Sequence, residues 1–136
     1  MARRSRFIKQ SLVEIPERIA APDMIVDGED LRAKLIAIAR SKKDVRSGAL
    51  ELLKRTRQDA LDFAQRKFEA GRFNGHEMAR VIAAIHDDII TALYDFTTAH
   101  ILRAPNPTEA ERHAVCAVGG YGRGEMAPGS DVDLLF

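Results

Sequence analysis

Ala114-Val-Cys-Ala-Val118, Gly119-Gly-Tyr-Gly-Arg-Gly-Glu-Met-Ala-Pro-Gly-Ser130 and Asp131-Val-Asp-Leu-Leu-Phe136 follow one another without a break. The first is a continuous apolar run, short and followed by glycine. Its length and those glycines favour a buried strand over a helix. The second reads as a loop, because Gly119, Gly120, Gly122 and Gly124 fall within six residues. Glycine lets backbone N–H groups approach an anion with no side chain in the way. Ala127-Pro-Gly-Ser130 has the form of a type II turn, with proline and glycine at its centre. That turn would return Ser130 and Asp131 to the mouth of the loop. The third piece reads as a second strand.

In a strand, residues i and i+2 share a face. Asp131 and Asp133 would then point the same way, about 6–7 Å apart, with Val132, Leu134 and Phe136 turned into a core. Aspartate is depleted in strands, and neighbouring carboxylates repel. A cation between them removes the conflict, and hard oxygen donors suit Mg²⁺. A bare Asp-x-Asp is more often a solvent-facing strand. What distinguishes this one is the order of apolar strand, glycine loop and carboxylate strand. Other phosphate motifs fit worse. A Walker A loop needs lysine after Gly124, where Glu125 stands, and the last glycine of GxGxxG would also fall on Glu125.

Upstream, the pattern is helical. Residues 1–26 read as a flexible lead-in broken by Pro16 and Pro22. Residues 27–113 read as a helical region. A first helix is predicted over Glu29–Lys42 with Asp27 as N-cap and Leu31, Leu35, Ile36 and Ile38 apolar. A second is predicted over Val45–Ala70, with Leu50, Leu53, Leu61, Ala64 and Phe68 as its stripe and Gly71 as its stop. Asn74-Gly-His-Glu77 forms a capping box for a third helix. Along it Met78, Ile82, Ile85, Ile89, Leu93 and Phe96 recur at spacings of three and four, an ordinary core stripe in preference to a partner-binding face. It should fade near Arg103, since Pro105 and Pro107 cannot continue it. Thr108–Glu111 offers a short capped turn. Residues 114–136 open a further domain. An apolar strand without a following partner reads as a cut, so Phe136 is expected to be a truncation point.

The 136 residues are 46% hydrophobic and 30% charged, enough for about one domain with a core. No internal repeat is seen. No apolar run approaches the ~18–20 residues that cross a bilayer. The basic start lacks the apolar stretch of a secretory signal, and Glu14 and Glu17 arrive early for a transit peptide. The single cysteine, Cys116, sits in an apolar run and reads as a buried free thiol in a reducing cytoplasm, ahead of a nucleophile. Net charge is +1, but residues 1–70 carry 16 Lys/Arg against 11 Asp/Glu, and residues 71–136 carry 5 against 9. Solvated helix faces account for the basic half more simply than a nucleic acid or an acidic partner.

Val118, Gly119, Gly120, Asp131 and Asp133 together resemble the signature of the nucleotidyltransferase superfamily: an apolar residue, two small residues, a spacer, then Asp-x-Asp between apolar residues. Tyr121, Arg123, Glu125, Pro128 and Ser130 make the wording similar to the bifunctional PII uridylyltransferase/uridylyl-removing enzyme family. The specific match covers residues 114–136. Glutamine synthetase adenylyltransferases, which also carry Gly-Gly and Ser-Asp-x-Asp, are less similar at Tyr121–Gly124. Minimal antibiotic- or toxin-type nucleotidyltransferases do not usually have so much helix before the loop.

The resemblance implies an α+β fold, with an N-terminal helical region leading into the first two strands of a polymerase-β-like palm. It implies transfer of UMP from UTP to a tyrosine of the PII protein, with Mg²⁺ on Asp131 and Asp133 and the phosphates on Gly119, Gly120, Ser130 and Arg123. For Arg123, a structural pair with Glu125 stays open. Tyr121 reads as loop support. The resemblance also implies a third carboxylate, an HD-type hydrolase domain and ACT domains outside this sequence. The 136 residues alone are thus expected to be inactive and marginally folded. His86-Asp87 spells an HD dipeptide but lacks its companion ligands, so His86 reads as a plain helix residue. His76, His100 and His113 have no metal-ligand spacing. Neither a membrane nor a nucleic acid is expected as partner. A non-catalytic helical interaction module built on residues 27–103 stands as the other class of reading.

Overall fold

The computed structural model describes residues 25–41, 44–102 and 114–136. Three helices come first: α1 (Gly28–Ser41), α2 (Val45–Glu69) and α3 (Gly75–Phe96). Each begins on a side-chain cap. Asp27 Oδ1 accepts from the amides of Glu29 and Asp30, both at 3.0 Å. Asp44 Oδ1 accepts from Ser47 N at 3.1 Å. Bonding to the Ser47 side chain and then its amide holds the Asp44 carboxyl below its ordinary range. Asn74 accepts from Glu77 N while Glu77 reaches back to Asn74 N, the two halves of a capping box.

The end of α2 is also local chemistry. Gly71 takes φ +68°, the left-handed region that glycine enters without a Cβ penalty. Its amide donates to Phe68 O and the next, Arg72 N, to Lys67 O, a Schellman pair that uses two of the orphan carbonyls. α3 gives way at Phe96, before Arg103, to a single wide π-turn over Thr97–Ile101. Arg103, Pro105, Pro107, the Thr108–Glu111 turn and His113 lie outside the described residues.

α3 packs against both α1 and α2. It is buried along Met78, Val81, Ile82, Ile85, Ile89, Ala92 and Phe96. Leu93, expected in that stripe, is 40% exposed because Ala92 takes the inward position beside it. α2 keeps Leu53, Leu61 and Ala64 of its expected stripe on the core and differs at Leu50. Its buried face is Ala49, Leu53, Ala60 and Ala64, whereas Leu50 is 51% exposed. Small residues let two helix backbones approach closely, so an alanine face can be the inner one while a larger neighbour faces out. Phe68 is 38% exposed, with its ring 6.2 Å from that of buried Phe73. Val26 is buried, so the end of the expected lead-in already packs on the core. Arg32 Nε bonds Asp95 Oδ2 at 3.0 Å and ties α1 to the end of α3.

The later residues form β1 (Cys116–Ala117), a helical turn α4 (Gly119–Gly122) and β2 (Leu134–Leu135). β1 and β2 pair antiparallel, with Cys116 opposite Leu135 and Ala117 opposite Leu134. Among the described residues this is a two-stranded ribbon on a mostly helical body. Both expected strands are shorter than the sequence suggests, and β1 is exposed where a buried strand was expected. Cys116 is accordingly an exposed thiol. A ribbon of two strands has no further layer to cover its outer face, so apolar composition alone does not bury it.

Candidate active site

The glycine segment is wound tightly, and the space around its α-carbons explains its composition. A Cβ on Gly122 would stand 2.5 Å from the carbonyl oxygen of Ala117, and one on Gly120 would stand 2.9 Å from that of Glu125. Neither backbone oxygen can swing aside. Gly122 N donates to Val118 O at 2.8 Å and Glu125 N to Gly120 O at 3.0 Å, so the chain folds back across its own start. The expected open loop therefore contains one helical turn. The proline-glycine turn after it forms as expected: Ser130 N donates to Ala127 O and Gly129 has φ +80°. Ser130 Oγ is used within the turn, donating to Ala127 O at 2.7 Å.

Asp131 and Asp133 lie in the extended lead into β2 and not in the paired strand itself. Both are exposed, while Val132 and Leu134 pack on the core, so the alternation expected from strand geometry holds through Leu134. It fails at Phe136, which is 88% exposed. The carbonyl of Asp133 accepts from Val118 N at 3.1 Å, which registers the carboxylate segment against the start of the glycine turn. Gly119 has φ +62°, and a Cβ there would meet Asp133 Oδ2 at 3.0 Å. The first glycine and the second aspartate are thus brought face to face. The ion pairs among the described residues involve neither Asp131 nor Asp133. Arg123 is exposed at the end of the turn, and Glu125 faces His76 Nε2 at 3.6 Å, so the alternative Arg123–Glu125 pair is not what the structure shows.

Over 116 residues the chain is 47% identical to the bifunctional uridylyltransferase/uridylyl-removing enzyme of Caulobacter vibrioides, a match covering 82% of this chain and 12% of that enzyme. It is 47% identical over 118 residues to the enzyme of the same name from Phenylobacterium zucineum, covering 84% and 12%. With that of Rhodospirillum rubrum it shares 38% over 122 residues, covering 88% and 13%. The chain matches a segment of the bifunctional uridylyltransferase/uridylyl-removing enzymes. It spans about 12% of the length of the curated Caulobacter and Phenylobacterium relatives it matches. No family model matches the chain, and no solved structure does.

The structure joins the glycine turn to the helices. Tyr121 is buried, and its hydroxyl donates to Asp87 Oδ1 of α3 at 2.7 Å. Burial, then the bond to Asp87 and the charges of Asp87 and Asp88, push the phenol well above its ordinary range, so it stays a donor. Met126 is buried too, and its amide donates to Ala79 O of α3 at 3.1 Å. His86 lies edge-on to Tyr121 with centroids 6.3 Å apart. Arg57 Nε can only donate, so His86 Nε2 accepts from it at 3.2 Å and Nδ1 carries the proton toward Ile82 O at 2.7 Å. His86 lies on α3, as its sequence context suggested, and is a buried histidine with both ring nitrogens satisfied. A cavity of about 190 Å³ is lined by Arg57 and Leu61 of α2, His86 of α3, and Pro128 and Ser130 of the turn after the glycines.

Asp87, Arg57, Met126 and His76 were not legible as parts of this site. A tyrosine among glycines does signal that a buried hydroxyl needs a partner. No spacing rule points to one 34 residues away.

Proposed function

We propose that this segment is part of an enzyme that transfers UMP from UTP to a tyrosine of the PII nitrogen-regulatory protein, and that the full-length enzyme also removes UMP by hydrolysis. The attacking tyrosine oxygen forms a bond to the α-phosphorus, the bond to pyrophosphate breaks, and the phenolic proton leaves. The relatives' name supports uridylyl chemistry. The observation that carries the site is the seating of the Asp133 carboxylate beside the space that a side chain at Gly119 would fill. It puts a hard anionic donor beside backbone that has no side chain to obstruct a phosphate.

The donor set fits Mg²⁺ as a partial site. Mg²⁺ commonly takes one or two carboxylates and completes its shell with water and substrate phosphate. Asp131 and Asp133 are exposed, and among the described residues no group of three candidate ligands forms. Mg²⁺ there would supply charge stabilisation on the reacting phosphates. The chain's own residues would bind and orient the nucleotide: Gly119 and Gly120 through close backbone approach, Ser130 and Arg123 from the rim. The cytoplasm is the proposed compartment, since UTP and PII are the proposed partners. Among the described residues no helix is long and apolar enough to cross a membrane.

The test is Asp131→Asn and Asp133→Asn in a protein of the relatives' full length. Each is expected to abolish UMP transfer to PII while leaving the circular dichroism spectrum unchanged, because asparagine keeps the shape and loses the charge. Near-normal turnover by either variant at saturating UTP and Mg²⁺ removes that residue from the site. The 136 residues alone should give a helical spectrum and no transfer.

A further inference from the structure

A glycine-rich turn has few side chains to hold it, and glycine has the most backbone freedom to lose on ordering. Gly119, Gly120 and Gly122 supply the close approaches, so something else must fix the turn in place. The one large side chain within α4 is Tyr121, and it points back into α3, where Asp87 accepts its hydroxyl at 2.7 Å. Phenylalanine would fill the same space without a hydroxyl. The hydroxyl here meets a carboxylate, and hydrogen bonds with one ionised partner are shorter and stronger than neutral ones. Met126 closes the other end of the segment through Ala79 O. The Gly119–Asp133 contact described above therefore hangs from α3 at two points.

We propose that Asp87 is a positioning residue: acting through Tyr121, it holds the glycine turn in the shape that receives the nucleotide phosphates. The inference rests on the function proposed above. It assigns α3, a helix carrying none of the candidate ligands, control over nucleotide affinity. Loosening the turn weakens contacts made alike to the bound substrate and to the transition state. Loss of such uniform binding raises KM and leaves kcat in place.

The experiment uses the full-length enzyme with Tyr121→Phe, Asp87→Ala, Asp87→Asn and the Tyr121→Phe/Asp87→Ala double variant. Steady-state UMP transfer is measured against UTP concentration, and hydrogen exchange is followed at the amides of residues 119–126. Tyr121→Phe and Asp87→Ala are each expected to raise KM for UTP about tenfold, with kcat within about twofold, as loss of one charge-assisted bond allows. The amides should exchange faster in both. Asp87→Asn keeps an acceptor oxygen but loses the charge, and should give a KM between the parent's and that of Asp87→Ala. The double variant should be no worse than either single one, because both remove the same bond. Should Asp87→Ala fail to fold, Tyr121→Phe, which deletes one oxygen, still decides the matter. A parental KM for Tyr121→Phe, or multiplying effects in the double variant, overturns the inference. Asp131→Asn separates the two failures. If it abolishes transfer while Tyr121→Phe changes nothing, only the positioning role falls. If it leaves transfer intact, the proposed function falls and takes this role with it.

Discussion

Gly122 and Gly75 are both glycines at helix ends, yet their surroundings differ completely. A methyl group on Gly122 runs into the Ala117 carbonyl at 2.5 Å, whereas one on Gly75 meets nothing within 4 Å. Gly122→Ala should destabilise the chain by about 1–3 kcal/mol, the usual cost of forcing a methyl into filled space. Gly75→Ala should leave stability unchanged or raise it by up to about 1 kcal/mol, since alanine is the better helix former. Paired urea melts of the two variants check both expectations, and equal midpoints would refute the steric account. The sequence shows that the segment is rich in glycine. It does not show which glycine is pinned against a neighbouring backbone, because that depends on where β1 runs.

Elements whose causes are local were readable, and those whose causes are tertiary were not. The capping box at Asn74 and Glu77 needs only four consecutive residues, and it forms as written. Asn74→Ala should cost about 1 kcal/mol by leaving a first-turn amide without its partner. A melting-temperature shift no larger than that of an exposed control alanine would argue against it. Asp27 and Gly71 were legible for the same reason. The stripe of α2 was legible at Leu53 and Ala64, which are buried, but not at Ala49 and Ala60, because large residues such as Leu50 dominate a periodicity count. The strands at 114–118 and 131–136 were found in the right places but drawn too long. Pairing stops after Cys116–Ala117 and Leu134–Leu135, a limit set by the partner strand and not by composition. Asp131 and Asp133 were therefore correctly placed on an outward face, but on the approach to a strand.

At the scale of the molecule, α3 lies at the centre of the packing. α1 and α2 cover it from the amino-terminal side of the chain, and Tyr121 and Met126 bind the glycine segment to it from the other. Leu35 is 0% exposed in this core, so Leu35→Ala should cost about 2–5 kcal/mol through lost burial and the cavity left behind. Leu93→Ala, at a position 40% exposed, should cost about 1 kcal/mol or less. Thermal melts of the two, followed at 222 nm as the ordinary helix signal, are the comparison, and a larger loss for Leu93 would mean that the packing is wrongly described. The helices and the glycine turn share one core, which neither periodicity nor motif spacing revealed. The exposed β1 has a practical side as well. Cys116 is the chain's only thiol, stands two residues before the end of the apolar run, and is open to solvent. In this chain a maleimide dye or spin label would attach at a single known place, on the strand paired with β2 just after the carboxylates, with no cysteine to introduce and none to remove.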